Sequence, residues 1–311
     1  MGKIIVIAGP TASGKTATAI ALAHIIGGEI ISADSMQIYQ YMDIGTAKPT
    51  LNERENIPHH MIDIVKPDKP YSAALYQAQA RIAIEGIHSH GKMPILCGGT
   101  GFYINAVLRD VDFTSVNDDQ SREHFWNIAE NKGHEHLHTM LQKSDPAAAL
   151  NIHPNNVKRV VRALSYYHTT GMLFSKYCLD QKKRQPMYET LFCSLSTDRE
   201  SLYKRIDKRV LLMFDSGLVD EVAGLLESGY HPNLVSMQGI GYKETVKYIT
   251  GHTSKPDTIA TIQQNSRNYA KRQETWFRNQ NTEAFQISTK DKSPTVQALE
   301  IAGLKFGASK R

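Results

Sequence analysis

The octapeptide Gly9-Pro10-Thr11-Ala12-Ser13-Gly14-Lys15-Thr16 has the spacing G-x-x-x-x-G-K-[ST], and residues of these types at these intervals bind phosphate. Glycines let successive backbone N–H groups turn inward, and a helix opening at the end of the loop adds partial positive charge. Lys15 supplies a point charge, and the Thr16 hydroxyl stands where such loops hold Mg²⁺. The expected ligand is a di- or triphosphate-like group. Kinases, GTPases and some transferases share the loop, so other residues must decide the chemistry.

Asp34 heads Asp34-Ser35-Met36-Gln37 after a short apolar run; such a carboxylate binds Mg²⁺, accepts a proton from a nucleophile, or caps a helix. Gly98-Gly99-Thr100-Gly101 either presents backbone N–H groups to an anion, with the Thr100 hydroxyl at its centre, or turns the chain into a helix. Lys204, Arg205, Lys208 and Arg209 form a basic cluster. Either one of them clamps a departing pyrophosphate, or the group is a surface stripe paired with Glu200 and Asp207. His59-His60 and the other histidines lack metal-ligand spacing and read as structural or surface groups.

These groups need a scaffold, and strand and helix alternate in a way that supplies one. The run Lys3 to Ala8 is strand-like, and after the phosphate loop Ala19, Ile20, Ala23 and Ile26 recur at helical spacing. Glu29 to Ala33, a helix around Ser72 to His88 and the strand Met93 to Cys97 continue the alternation, which predicts an α/β fold with a parallel sheet flanked by helices. Ligands in such sheets bind beyond the carboxyl ends of the strands, so the phosphate loop, Asp34 and Thr100 are expected at one site. From about Val111 to Tyr188 strand signals give way to helical segments, Ser121 to Lys132, His134 to Lys143 and Asn156 to Thr169, which predicts a helical insertion. The sheet resumes at Leu191 to Leu195, followed by helices over Asp198 to Gly217 and Asp257 to Asn279 and, after Lys290, a short apolar helix. The expected organisation is residues 1–110 as the first part of the core, 111–190 as the insertion, and 191–311 as the second part with a helical C-terminal region.

The segment Asn156 to Thr169 puts Val157, Val160, Val161 and Leu164 on one stripe, with Lys158, Arg159 and Arg162 off it and Gly171 beyond its end. A second helix carries Arg267, Lys271, Arg272 and Arg278 with Tyr269, Trp276 and Phe277 interleaved. Cations neutralise phosphates and aromatic rings stack on bases, so both helices point to nucleic acid. A chain of 311 residues with 41% apolar and 22% charged residues has ordinary globular composition, and a net charge of +5 permits a polyanionic partner. Cys97, Cys178 and Cys193 form neither a C-x-x-C pair nor a disulfide framework, which fits a reduced, cytoplasmic setting. No stretch approaches the ~20 apolar residues of a membrane span, and neither a signal sequence nor a myristoylation pattern is expected.

Eight segments together resemble the tRNA dimethylallyltransferases: GPTASGKT (Gly9 to Thr16), ISADSMQIYQYMDIGTAKPT (Ile31 to Thr50), PHHMID (Pro58 to Asp63), YSAALY (Tyr71 to Tyr76), GGTGFY (Gly98 to Tyr103), IHPNNVKRVVRAL (Ile152 to Leu164), QGIGYKE (Gln238 to Glu244) and KRQETWFR (Lys271 to Arg278). They span nearly the whole chain in order. The resemblance implies a P-loop NTPase-like core with a helical insertion that grips the anticodon stem-loop of tRNA. It also implies dimethylallyl diphosphate as donor, the exocyclic amine of the adenosine 3′ of the anticodon as acceptor, Mg²⁺ as cofactor and pyrophosphate as leaving group. Carried over by motif, Gly9 to Thr16 hold the diphosphate, with Thr16 on the metal, and Asp34, Ser35, Met36 and Gln37 meet the target adenine. The implied tRNA surface takes in Thr100, Arg122 and the helix residues Lys158, Arg159, Val160, Val161 and Arg162. It continues through Gln238, Gly239, Ile240, Gly241, Tyr242 and Lys243 to Lys271, Arg272, Gln273 and Arg278.

The implied chemistry suits these residue types. An allylic diphosphate ionises readily once its leaving group is neutralised, the role implied for Lys15, Mg²⁺ on Thr16, and Arg209, with Thr11 beside them. The adenine amine is a poor nucleophile, so Asp34 is expected to accept its proton. The base must leave its stack to reach such a site, and Gln37 is suited to read its edge. No N-K-x-D nucleoside motif is found. The chain departs from the family at RDVDFTSVNDDQS (Arg109 to Ser121), where a proline-rich link before an acidic residue, here Asp118, and Arg122 is commoner. It carries no C-terminal zinc finger, which points to the shorter, bacterial-type form. Two other readings remain, an adenylate isopentenyltransferase acting on free AMP, ADP or ATP and a P-loop small-molecule kinase; both leave the basic helices idle. A monomer is the expected state.

Overall fold

The computed structural model describes residues 1–111, 113, 119–281, 283–289 and 293–306. Among them one sheet of six parallel strands forms: β1 (Lys3–Ala8), β2 (Gly28–Ser32), β3 (His59–His60), β4 (Met93–Gly98), β5 (Glu189–Ser196) and β6 (Phe285–Ser288). Their spatial order is β3-β2-β4-β1-β5-β6, with Ile5 of β1 opposite Ile95 of β4 and Leu191 of β5. A strand covered on both faces needs apolar residues at every position rather than in alternation. Ile4 to Ala8 are accordingly all buried. Ile4, Val6 and Ala8 join a core with the helices Ala73–Ser89 and Gly101–Leu108, whereas Ile5 and Ile7 join a second core with the helices Lys15–Ile26 and Pro294–Phe306. This is the α/β architecture with a parallel sheet that the alternation predicted. β3 and β6 were not foreseen, because strands of two and four residues carry no period of their own and are recruited by pairing to β2 and β5.

Since all strands point the same way, the segments leaving β1, β2, β4 and β5 emerge along one edge. They are the phosphate loop, Ala33 to Gln37, Gly99 to Gly101, and the turn into the helix Arg199–Asp215, whose N-cap Asp198 accepts the Ser201 N–H at 2.9 Å. A further apolar core joins this helix to Leu218–Glu227, Tyr242–Ile249 and Lys255–Gln280, together with Ile38, Tyr39 and Met42 of the long connection from β2 to β3.

The chain divides into two compact units, one made of Met1–Leu108 with Met187–Arg311 and the other of Arg109–Pro186. In the first, the Met187 N–H donates to the Leu108 carbonyl at 2.9 Å, so the chain leaves the sheet-bearing unit and re-enters it at one place. The second unit is helical: Asp119–Lys132, His134–Ser144, Pro146–Asn151, Val157–Thr170 and Phe174–Lys183. Asp145, buried at its centre, accepts the Ala148 N–H at 3.0 Å with one oxygen and the Ser175 N–H at 2.8 Å with the other, capping one helix and tying in a second. Within the departing segment 109–121, Asp118 and its neighbours 112 and 114–117 lie outside the described residues.

Candidate active site

The phosphate loop ends in a helix whose first turn is left open. Gly14, at φ 94°, is the N-cap of Lys15–Ile26, and no side chain caps that end, so its first N–H groups face outward as an anion-binding terminus does. Ser13 Oγ is buried with no hydrogen-bond partner among the described residues, a donor without an acceptor in the middle of the loop. Lys15 Nζ folds back onto the Pro10 carbonyl at 2.8 Å. Burial holds the Lys15 ammonium below its ordinary pKa; Cys97 and Asp34 oppose that shift, and Arg209 adds to it. The Cys97 thiol is itself pushed up to about 11 by burial.

The ends of β2 and β4 are knitted beside the loop. Asp34 Oδ1 accepts the Met36 N–H at 2.8 Å, Thr100 Oγ1 accepts the Ser35 N–H at 3.1 Å, and the Thr100 N–H donates to the Ala33 carbonyl at 3.0 Å. A side chain at Gly98 would run into the backbone of Ala33, so this approach requires glycine. Gln37 Nε2 donates to the carbonyls of Thr46 at 3.4 Å and Ala47 at 3.2 Å, and its Oε1 accepts from Ser32 Oγ at 3.0 Å. Its carboxamide is thus oriented by the chain, with one acceptor position of Oε1 left for a ligand.

Two cavities meet at this edge. One, about 550 Å³, is lined by the phosphate loop with Gln37, Cys97 and Gln273. The other, about 390 Å³, is lined by Ser35, Met36, the run Gln238 to Lys243, and apolar residues of the helix Arg199–Asp215. Thr11, Asp34, Thr46, Ala47, Arg209 and Tyr269 line both, and so form the neck where the cavities join. Arg209 Nη1 donates to Thr11 Oγ1 at 3.4 Å; burial lowers the guanidinium from its ordinary value, and Glu53 and Asp34 pull it back. Tyr269, its hydroxyl pushed up to about 12 by burial and by Asp34, carries Arg272 over its ring at 5.6 Å.

A metal has few dedicated ligands here: among the described residues no group of three or more His, Cys, Asp or Glu is placed to hold one. Mg²⁺ seldom asks for such a group, since it keeps waters and binds one or two protein oxygens with substrate phosphates. The Thr16 hydroxyl and the Asp34 carboxylate line one cavity with the phosphate loop and fit that pattern.

The residues named from sequence fall into three places. Those of the phosphate loop, Asp34 to Gln37, Thr100, Arg209, Gln238 to Lys243 and Arg272 surround the joined cavities or support their walls. Lys271 and Arg278 are exposed on the helix Lys255–Gln280. Arg122, Lys158, Arg159 and Arg162 belong to the helical unit, where Lys158, Arg159 and Arg162 are exposed and Arg162 lies over the Phe174 ring at 5.7 Å. Two residues need correction as nucleic-acid contacts. Val160 and Val161 are sealed in the core of the helical unit, where the same stripe that makes the helix amphipathic hides them from any ligand. Gln273 and Tyr242 line the cavities, with their polar groups bonded inside the protein, Gln273 to Thr11 and Gly99 and the Tyr242 hydroxyl to Glu221. Thr46 and Ala47 were not singled out as site residues, and Tyr269 was named only among the aromatic rings of its basic helix.

Residues 37–280 match the family model described as IPP transferase, and residues 2–67 that described as Isopentenyl transferase. A "tRNA dimethylallyltransferase" of Alkaliphilus metalliredigens is 45% identical over 96% of each chain, and one of Geobacillus thermodenitrificans is 48% identical over 89% of this chain and 88% of its own. A solved tRNA isopentenylpyrophosphate transferase of Bacillus halodurans superposes with a TM-score of 0.74 at 40% identity, covering 99% of this chain and 96% of its own. A eukaryotic dimethylallyltransferase captured acting on tRNA superposes with a TM-score of 0.79 at 31% identity, covering 99% and 77%.

Proposed function

This chain belongs to the IPP transferase family, and we propose that it transfers a dimethylallyl group from dimethylallyl diphosphate to the exocyclic N6 amine of adenosine-37, next to the anticodon, in tRNAs that read codons starting with U. It is a prenyl-transferring enzyme acting on tRNA. The products are N6-dimethylallyladenosine and pyrophosphate. The observation that carries the reading is the neck: a phosphate cradle opens on one side of Asp34 and Arg209, and a second cavity with a partly apolar wall opens on the other. A donor diphosphate on the first side and an extruded base on the second would bring amine nitrogen and allylic carbon together there.

In the transfer the amine nitrogen bonds to the allylic C1, the C1–oxygen bond breaks with its electron pair leaving on pyrophosphate, and the amine gives up a proton. Asp34, held by the Met36 N–H through one oxygen, keeps the other for that proton. Lys15, Arg209 and the open helix terminus neutralise the charge that grows on the departing diphosphate. Mg²⁺, held through Thr16 with Asp34 near, would add Lewis-acid neutralisation of the same oxygens when bound. The exposed cations of the helix Val157–Thr170 support binding of the anticodon stem-loop through its phosphates. We take the working form to be a cytoplasmic monomer; no described helix is long and apolar enough to cross a membrane.

The test is transfer of label from dimethylallyl diphosphate, with Mg²⁺, to an anticodon stem-loop carrying adenosine after the anticodon, beside AMP and ATP. Label on the stem-loop alone is expected. Label on AMP would move the activity to free nucleotides, and ADP formed from ATP without transfer would make the protein a kinase.

A further inference from the structure

We infer, on the reading of the site given above, that Glu221 is a positioning residue for prenyl transfer, acting through the strap Asp43–Ala47 on the carboxamide of Gln37. Glu221 Oε2 accepts the N–H groups of Asp43 at 2.9 Å and Ile44 at 2.7 Å. Its Oε1 accepts the Gly45 N–H at 3.1 Å and the Tyr242 hydroxyl at 2.6 Å. Three successive backbone N–H groups closed on one anion make a nest, and here the anion is the protein's own carboxylate. It stands in the first turn of the helix Leu218–Glu227, where the helix dipole favours negative charge.

The strap reaches the chemistry within two residues. A side chain at Gly45 would stand 2.5 Å from the Tyr242 ring, so glycine lets the strap close onto that tyrosine. Thr46 and Ala47, next in the chain, wall the neck, and their carbonyls set the sense of the Gln37 amide. Ala47 takes φ 49°, a left-handed conformation that persists in a non-glycine residue only when its surroundings impose it. Glu221 on one side imposes it. On the other, Lys48 Nζ is anchored on the Tyr39 carbonyl at 2.8 Å. Without the carboxylate the Thr46 and Ala47 carbonyls lose one of the anchors that place them, and the Gln37 Oε1, on the wall of the phosphate-loop cavity beside the neck, loses its fixed orientation. The phosphate cradle is built on other elements and is left as it was.

Glu221→Gln keeps the size of the side chain but puts an amide N–H₂ donor where donors converge. Single-turnover transfer at saturating substrates is expected to fall about 10- to 30-fold, as a misplaced reactant does, with stem-loop and pyrophosphate affinities within about threefold of wild type. In a Gln37→Ala background the same substitution is expected to cost little more, because the two act in series. Tyr242→Phe, which removes one bond and keeps the carboxylate, is run beside it and is expected to show a smaller loss that Gln37→Ala also absorbs; it decides the matter if Glu221→Gln does not fold. An unchanged saturated rate, or losses that multiply with Gln37→Ala, would overturn the role of Glu221 alone. No transfer by the wild-type protein would overturn the functional reading, and this role with it.

Discussion

Gln273 and Thr11 stand 262 positions apart, yet the Gln273 Oε1 accepts the Thr11 N–H at 2.9 Å while its Nε2 donates to the Gly99 carbonyl, also at 2.9 Å. One buried carboxamide therefore ties the phosphate loop after β1 to the turn after β4. Gln273→Ala leaves an N–H and a carbonyl unpaired, at a cost of about 1–3 kcal/mol for each buried group. The expected outcome is a lower urea midpoint together with weaker pyrophosphate binding, measured by denaturation and calorimetry on the same preparation.

Asp34→Asn preserves the oxygen that accepts the Met36 N–H and removes the base. The single-turnover transfer rate is expected to fall by about 10²–10⁴, the usual range for loss of a general base, while stem-loop affinity stays within a few-fold. Lost affinity with an intact rate at saturation would show that Asp34 reads the base instead.

Lys158→Glu with Arg162→Glu reverses two exposed charges on one face of Val157–Thr170. Stem-loop binding should weaken, and the slope of log affinity against log salt should flatten by about 0.7–0.9 for each phosphate that is no longer neutralised. An unchanged slope would remove this helix from the tRNA interface. Val160→Ala, by contrast, should lower stability through its cavity and leave the slope alone, since that residue is buried.

Burial lowers the Lys15 pKa in the free protein, and two pH effects of opposite sign follow. The unfolded chain holds the lysine proton to higher pH than the folded one, so stability without ligand rises as pH climbs through the lowered value. A diphosphate binds the protonated form, so its affinity is full below that value and declines above it, beginning below the ordinary lysine range. Titration of a non-hydrolysable allylic diphosphate from pH 7 to 10 should show the decline. Lys15→Arg, whatever its affinity, should lack it, because guanidinium stays charged.

The elements that place the site were readable because their residues answer to burial on two faces. Ile4 to Ala8 and Met93 to Cys97 are apolar without alternation, and the motifs lie at their ends. What the sequence could not separate was contact with a ligand from contact with another motif. Tyr242 and Gln273 sit in segments that mark the site, yet one closes onto Glu221 and the other onto Thr11 and Gly99, and nothing in their spacing reveals partners that tertiary folding supplies. Glu221 lies outside every motif, on a helix whose pattern explains only its apolar side. Val160 and Val161 show the reverse: their stripe announced a core, and inclusion in a basic motif drew them wrongly toward the ligand.

The hydrogen bond from Met187 to Leu108 bears on how the molecule comes to be made. β1 pairs with β4 on one side and β5 on the other, so during synthesis its second edge has no neighbour until the chain has been extended past Ser196. An unpaired apolar edge invites association with other chains. The helical unit leaves the ribosome in that interval, and its own closure at Arg109 and Pro186 brings the two ends of the sheet-bearing unit together. The entropy of joining β5 to β1 is then that of a far shorter loop than the sequence separation suggests. Closure of the helical unit ahead of β5 would thus favour the pairing that completes the sheet.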